Sequence, residues 1–174
     1  VVVGGVAGGM SAAARARRLD ETAEIIVLDR GAHVSFANCG LPHFVGGEIE
    51  NERSLLVQTP ASLKAALDLD VRVRHDVTAL DTATRTLTVQ TEVGTEQLHY
   101  DALILSPGAL AVRPPLPGLD SPRVHTLRTV EDATTLRTVV TAGARRAVVL
   151  GGGGARVVLG GGVVGTHAIH IALG

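Results

Sequence analysis

A short valine run, Val1 to Val3, turns at Gly4-Gly5 into a small-residue stretch that reads as a helix from about Gly8 to Leu19. A second apolar run, Glu24 to Asp29, then ends in an acid. Strand, glycine turn, helix and strand within about 29 residues make a β-α-β unit, and no other feature limits the fold as tightly. Gly4 permits the sharp turn, and Gly9 lets the helix approach the sheet. The helix N-terminus then presents backbone N–H groups and a partial positive charge to a pyrophosphate. Asp29 follows Gly9 by 20 residues, the spacing at which an acid accepts hydrogen bonds from ribose hydroxyls and repels a 2′-phosphate. Val6 holds the middle position of G-x-G-x-x-G. The register of strand, helix and acid predicts a dinucleotide site over a bare glycine turn, without separating FAD from NAD.

Beyond this unit, Thr59-Pro60 opens a predicted helix to about Leu67, with Thr as N-cap and Pro at the first helical position. Alternating residues from Val71 to Tyr100, with turn signals at Asp81-Thr82 and Val93-Gly94, predict an antiparallel meander. Ala102 to Leu105 reads as a buried strand ending at Ser106-Pro107-Gly108. Residues 113–122, with Pro114, Pro115, Pro117 and Pro122, read as an extended connector. Thr129 caps a helix to about Thr141, with Asp132 three residues on. Ala147 to Gly153 reads as a new strand and turn. Both ends read as cut: Val1 lies inside a strand, and a helical stretch, His167 to Leu173, stops at Gly174. A piece of a longer protein is expected.

Hydrophobic content of 45% argues for a folded globular chain. A net charge of -1 gives no sign of a nucleic-acid or membrane surface, and no apolar run reaches the roughly 18 residues of a bilayer span. Cys39 is the only cysteine, so no internal disulfide forms and a reducing cytoplasm is expected. It lies in Ser35-Phe36-Ala37-Asn38-Cys39-Gly40-Leu41-Pro42, just past the nucleotide unit. A thiol there can exchange electrons with a bound cofactor through its thiolate; a buried structural cysteine is the alternative. His33, His43 and His75 lack metal-ligand spacing, and no metal is expected. Arg17 and Arg18 read equally as a solvated helix face or as phosphate contacts.

Residues 2–13, 35–42 and 100–109 (Tyr100-Asp101-Ala102-Leu103-Ile104-Leu105-Ser106-Pro107-Gly108-Ala109) together resemble the single-cysteine branch of the pyridine nucleotide-disulfide oxidoreductases. That branch includes coenzyme A-disulfide reductase, NADH oxidase, NADH peroxidase and persulfide reductases, and Val6 is typical of it. The resemblance implies a Rossmann-like α/β fold with a parallel sheet plus the meander. It implies a FAD-binding domain over 1–112, a connector and helix over 113–144, and the truncated start of an NAD(P)-binding domain over 145–174. Gly4, Val6, Ala7, Gly8, Gly9, Asp29 and Arg30 would hold the ADP half of FAD. Asn38, Val77, Ser106, Pro107 and Gly108 would add further flavin contacts. Cys39 would sit beside the flavin ring as the redox centre. Ser11, Arg15, Arg18, Ser35 and Asn38 match positions that contact coenzyme A; Arg15 stands where glutamine is more usual. Hydride would pass from NAD(P)H to FAD, and the electrons to a disulfide, persulfide or oxygen species at Cys39. Full-length members are homodimers, and a chain of this extent is expected not to turn over by itself.

Val148 to Gly153 fits the family's NAD-binding turn through Gly151 and Gly153. A second copy, Val157 to Gly162, starts nine residues after the first, too close for two independent units. Residues 157–174 resemble instead the NAD-binding turn of alanine dehydrogenase, with Gly160, Gly162 and Gly165 as a full G-x-G-x-x-G. The segment reads as a junction of two unrelated coding segments or as an assembly artefact. The alternatives to a coenzyme A-disulfide reductase-like enzyme are an NADH oxidase or peroxidase, an alanine dehydrogenase-related NAD protein, and an inert nucleotide-binding module.

Overall fold

The computed structural model describes residues 1–111, 115–144, 146–150 and 170–173. The chain divides into two compact units, Val1–Phe36 with Leu56–Gly108, and Ala37–Leu55 with the described residues from Ala109 onward.

The first unit is built as its leading residues predict. Strand β1 (Val2–Val3) turns at the glycines into helix α1 (Ala7–Leu19), which returns to β2 (Ile26–Asp29). In the second unit, a 3-10 turn, Asn38–Gly40, runs into α2 (Leu41–Gly46), and another 3-10 turn spans Glu52–Leu55. The first unit continues with α3 (Pro60–Leu67), β3 (Asp70–Val73), β4 (Asp76–Asp81), β5 (Thr86–Thr91), β6 (Gly94–His99) and β7 (Ile104–Leu105). The second unit then adds β8 (Val124–Thr126), α4 (Val130–Thr141), β9 (Ala147–Leu150) and β10 (His170–Leu173).

A parallel sheet of order β3-β2-β1-β7 forms the centre of the first unit. Its inner strand β2 is buried on both faces, which is why Ile25 to Leu28 is continuously apolar rather than alternating. Val27 faces Val2, Met10, Ala13, Leu63 and Leu69, with Ile25 on the same side. Ile26 and Leu28 face Leu87 and Val89 of the meander. Val27 and Leu28 have no exposed surface, and burial of side chains of this size contributes about 1.5–3 kcal/mol each. Ala13 is also fully buried; its single methyl lets α1 lie close to the sheet.

The meander is β4-β5-β6, antiparallel throughout, with a bulge between Val77 and Ala79. The alternating run Val71 to Arg74 does not belong to it. It forms β3, which pairs parallel to β2 after the α3 crossover. A period of two marks a strand but carries no sign of direction, and Arg74 in the left-handed region (φ 57°) separates β3 from β4.

The predicted capping box of Thr129 with Asp132 forms at α4, and the predicted N-cap Thr59 makes a box as well, with Ser62 at α3. Residues 170–173 differ from the predicted helix. They form β10, antiparallel to both β8 and β9. A run of three apolar residues after His170 satisfies either period, and pairing on both edges satisfies its backbone. The expected nucleotide contacts at Gly151, Gly153, Gly160, Gly162 and Gly165 lie outside the described residues.

Arg17 corrects the reading of the α1 basic face. It is 9% exposed and donates to the carbonyls of Leu67 (2.9 Å), Asp68 (3.0 Å) and Glu21 (2.7 Å). It therefore caps the C-terminal ends of α1 and α3 together and is neither solvated nor a phosphate ligand.

Three exposed carboxylates are held below their ordinary range: Asp20 by Thr22, Asp68 by Lys64, and Asp81 by Thr84. A depressed folded-state value contributes stability above the unfolded carboxylate range and loses it as pH falls toward the lowered value. Melting temperature is therefore expected to fall below about pH 4. An Asp20→Asn, Asp68→Asn, Asp81→Asn variant should show a shallower fall in thermal melts; an unchanged slope would contradict this.

Candidate functional site

The turn between β1 and α1 is organised by backbone proximity. Gly4 has φ 105°, and a Cβ there would lie inside the van der Waals shell of the Ser106 carbonyl oxygen. A Cβ on Gly9 would meet the Gly4 carbonyl oxygen in the same way. The turn is thus closed by three backbone segments: residues 4–6, the first turn of α1, and the Ser106 loop, whose N–H donates to Val3 (2.7 Å).

Among the described residues no side chain caps α1, and no acid stands in its first turn. Ala7 and Gly8 are exposed there. An uncapped helix start leaves N–H donors for an anion, and the dipole favours one. The residues at the turn accordingly fit a dinucleotide pyrophosphate.

Asp29 has a role that spacing does not reveal. Its Oδ2 accepts from the Gly5 N–H at 2.6 Å and its Oδ1 from the Gly31 N–H at 2.7 Å. The carboxylate latches the glycine turn to the end of β2. Each oxygen keeps a second lone pair with which to accept a ribose hydroxyl. Arg30 is exposed beside it, and Val77 is half-buried against the meander core.

Ser11, Arg15 and Arg18 are all exposed on α1. Their i, i+4, i+7 spacing places them on one helix face, opposite the buried set Gly9, Met10, Ala13 and Arg17. Ser35, also of the first unit, is held at φ 47° with its N–H bonded to Gly5 (2.9 Å).

Cys39 and Asn38 belong to the second unit. Gly40, Leu41, Phe44 and Val45 are buried, while Asn38 and Cys39 are not, and the thiol is exposed. The thiol does not belong to the packed core of this unit. Arg137 of α4 fixes this segment: its guanidinium lies 4.6 Å from the Phe44 ring centroid and donates to the carbonyls of Phe44 and Ile49. Thr134 adds a bond to Glu52 (2.8 Å). Sequence reasoning misses both anchors, whose partners lie more than eighty residues away. Among the described residues, no three His, Cys, Asp or Glu side chains gather as a metal site. No described helix is long and apolar enough to cross a membrane.

A parallel sheet whose strand β1 leads through a glycine turn into a helix defines the Rossmann-like α/β class. Residues 1–172 match the family model described as pyridine nucleotide-disulphide oxidoreductase. The chain belongs to that family. It is 41% identical over 134 residues to a coenzyme A disulfide reductase of Staphylococcus haemolyticus, covering 76% of this chain and 30% of that protein. Among solved structures, reduced CoADR-RHD of Bacillus anthracis is similar at 43% identity and a TM-score of 0.78, over 80% of this chain and 26% of that one. A NAD-dependent persulfide reductase from A. fulgidus is similar at 33% identity and a TM-score of 0.79, over 82% and 28%.

Proposed function

We propose that this chain is the flavin-binding part of an FAD- and NAD(P)H-dependent reductase that acts through Cys39 on a disulfide of the coenzyme A type. The observation that carries the reading is the exposed Cys39 within Ser35 to Pro42, in a chain 41% identical to a coenzyme A disulfide reductase. The proposal concerns the longer protein, because the chain spans less than a third of that relative.

Bound FAD would supply two-electron transfer between a nicotinamide and the cysteine. The chain's own residues bind and orient. Gly4 and Gly9 keep the turn open to the pyrophosphate, and Ala7 and Gly8 offer the helix N–H groups. Asp29 holds Gly5 in place and accepts ribose hydroxyls, beside Arg30. Ser106, Pro107, Gly108, Val77 and Asn38 complete the flavin contacts. Arg15 and Arg18, on the same face as Ser11, present two guanidiniums to the phosphates of coenzyme A. Ser35 and Asn38 serve the same substrate. The Cys39 thiolate attacks one sulfur of the substrate disulfide and keeps that half as a mixed disulfide, while the substrate S–S bond breaks and the other half leaves as a thiolate.

Incubation with coenzyme A disulfide, read by intact mass, tests this. A single coenzyme A adduct is expected on the wild-type chain and none on Cys39→Ser. Arg15→Glu with Arg18→Glu should slow its formation about tenfold or more at low salt, where opposite charges steer encounter, and leave an uncharged disulfide unaffected. Equal rates for charged and uncharged disulfides would contradict a coenzyme A substrate.

A further inference from the structure

His43 lies four residues after Cys39, and the chemistry proposed above makes no use of it. The backbone runs helically from the 3-10 turn into α2, since Gly40 and Leu41 both have right-handed helical angles. Four residues span little more than one turn across this junction, which keeps Cys39 and His43 near one another. Burial distinguishes the two from the residues around them. Gly40, Leu41, Phe44 and Val45 point inward, whereas Cys39 is exposed and His43 half-exposed.

The imidazole is held by a local device. Gly47, at φ 89°, ends α2 in a left-handed turn. Its N–H donates to Phe44 (3.2 Å), and the Glu48 N–H reaches back to the His43 carbonyl (2.9 Å), the paired bonds of a Schellman motif. That turn folds Glu48 over His43, where Oε2 lies 2.6 Å from Nδ1. The carboxylate fixes the ring's orientation and favours a proton on Nδ1. Nε2 is left to exchange protons.

Two charged groups of the elements packed against α2 have partners other than His43. Glu52 of the second 3-10 turn bonds to Thr134, and Arg137 of α4 bonds to the Phe44 and Ile49 carbonyls.

We infer that His43, oriented by Glu48, is the general acid for the thiol leaving group when Cys39 exchanges with a disulfide. This rests on the reading of Cys39 given above. The Cys39 thiolate attacks one sulfur, a Cys39–S bond forms, and the substrate S–S bond breaks. The electron pair leaves on the second sulfur, and the Nε2 proton of the imidazolium passes to it. One disulfide and one thiolate become one disulfide and one thiol, with no outside reductant.

Leaving-group dependence isolates this role. An alkyl thiolate is a poor leaving group and gains from protonation, whereas an aryl thiolate leaves without it. Stopped-flow exchange of the full chain should be measured with bis-hydroxyethyl disulfide and with dithiobis-nitrobenzoate, each across pH. His43→Gln is expected to slow the alkyl reaction about a hundredfold, the low end of general-acid effects, and the aryl reaction less than about twofold. Glu48→Gln should slow the alkyl reaction about threefold and leave the aryl reaction unchanged, because the ring loses the carboxylate that orients it. Equal slowing of both reactions by His43→Gln would mark a merely structural role and overturn the inference. So would unchanged rates in both. No exchange by the wild-type chain with either disulfide would instead overturn the reading of Cys39 itself.

Discussion

Gly9→Ala is expected to destabilise the chain by at least about 3 kcal/mol, the upper end of overpacking costs, and to abolish dinucleotide uptake. The added methyl has no free volume to occupy. It would overlap the Gly4 carbonyl oxygen, a backbone atom fixed by the Gly4 N–H bond to Leu28 (2.8 Å) and by the left-handed turn. Relief requires α1 to move off the sheet, which would open the contact of Met10 and Ala13 with Val27. Gly8→Ala is the matched control. Its methyl would lie 2.5 Å from Ser106 Oγ, and a side-chain hydroxyl can rotate away where a backbone carbonyl cannot. Urea denaturation and flavin titration of the two variants should separate them. Equal stability of Gly9→Ala and wild type would show that the turn is not closed as described.

Arg17→Ala is expected to cost about 3 kcal/mol, judged from hydrogen bonds to a charged donor at about 1.5–3 kcal/mol and partly buried carbonyls left unpaired. One guanidinium serves the ends of two helices, through Nε to Leu67, Nη2 to Asp68 and Nη1 to Glu21. Arg17→Lys should recover only part of the loss, because an ammonium lacks the planar fork that reaches several carbonyls at once. Arg18→Ala, on the exposed face, should change stability by less than about 0.5 kcal/mol. The check is the urea midpoint at unchanged m-value. A loss below about 1 kcal/mol for Arg17→Ala, less than a single charged hydrogen bond contributes, would contradict the double cap.

These two residues also mark where sequence stops being informative. Gly4, Gly9, Thr59 and Thr129 are legible because local rules specify the turns and caps they make. Arg17 is not, since an arginine on a helix carries the same pattern whether its partners are water or the carbonyls of another helix fifty residues on. Arg137 is hidden for the same reason. Asp29 is legible as an acid at ribose spacing, but its bonds to Gly5 and Gly31 depend on side-chain geometry that spacing does not encode. The direction of β3 and the strand at 170–173 escape a sequence reading because short apolar periods do not specify pairing. The Gly46-Gly47 pair is the available signal for the turn that sets Glu48 over His43.

The central claim is that the glycine turn binds FAD and that Cys39 exchanges electrons with it. Its most direct test is the visible spectrum of the chain after FAD reconstitution and removal of free flavin, for wild type and Cys39→Ser. Retained flavin absorption is expected in both, with a long-wavelength thiolate-to-flavin charge-transfer band in the wild type alone. Absence of retained flavin, or a band that survives Cys39→Ser, would contradict the account.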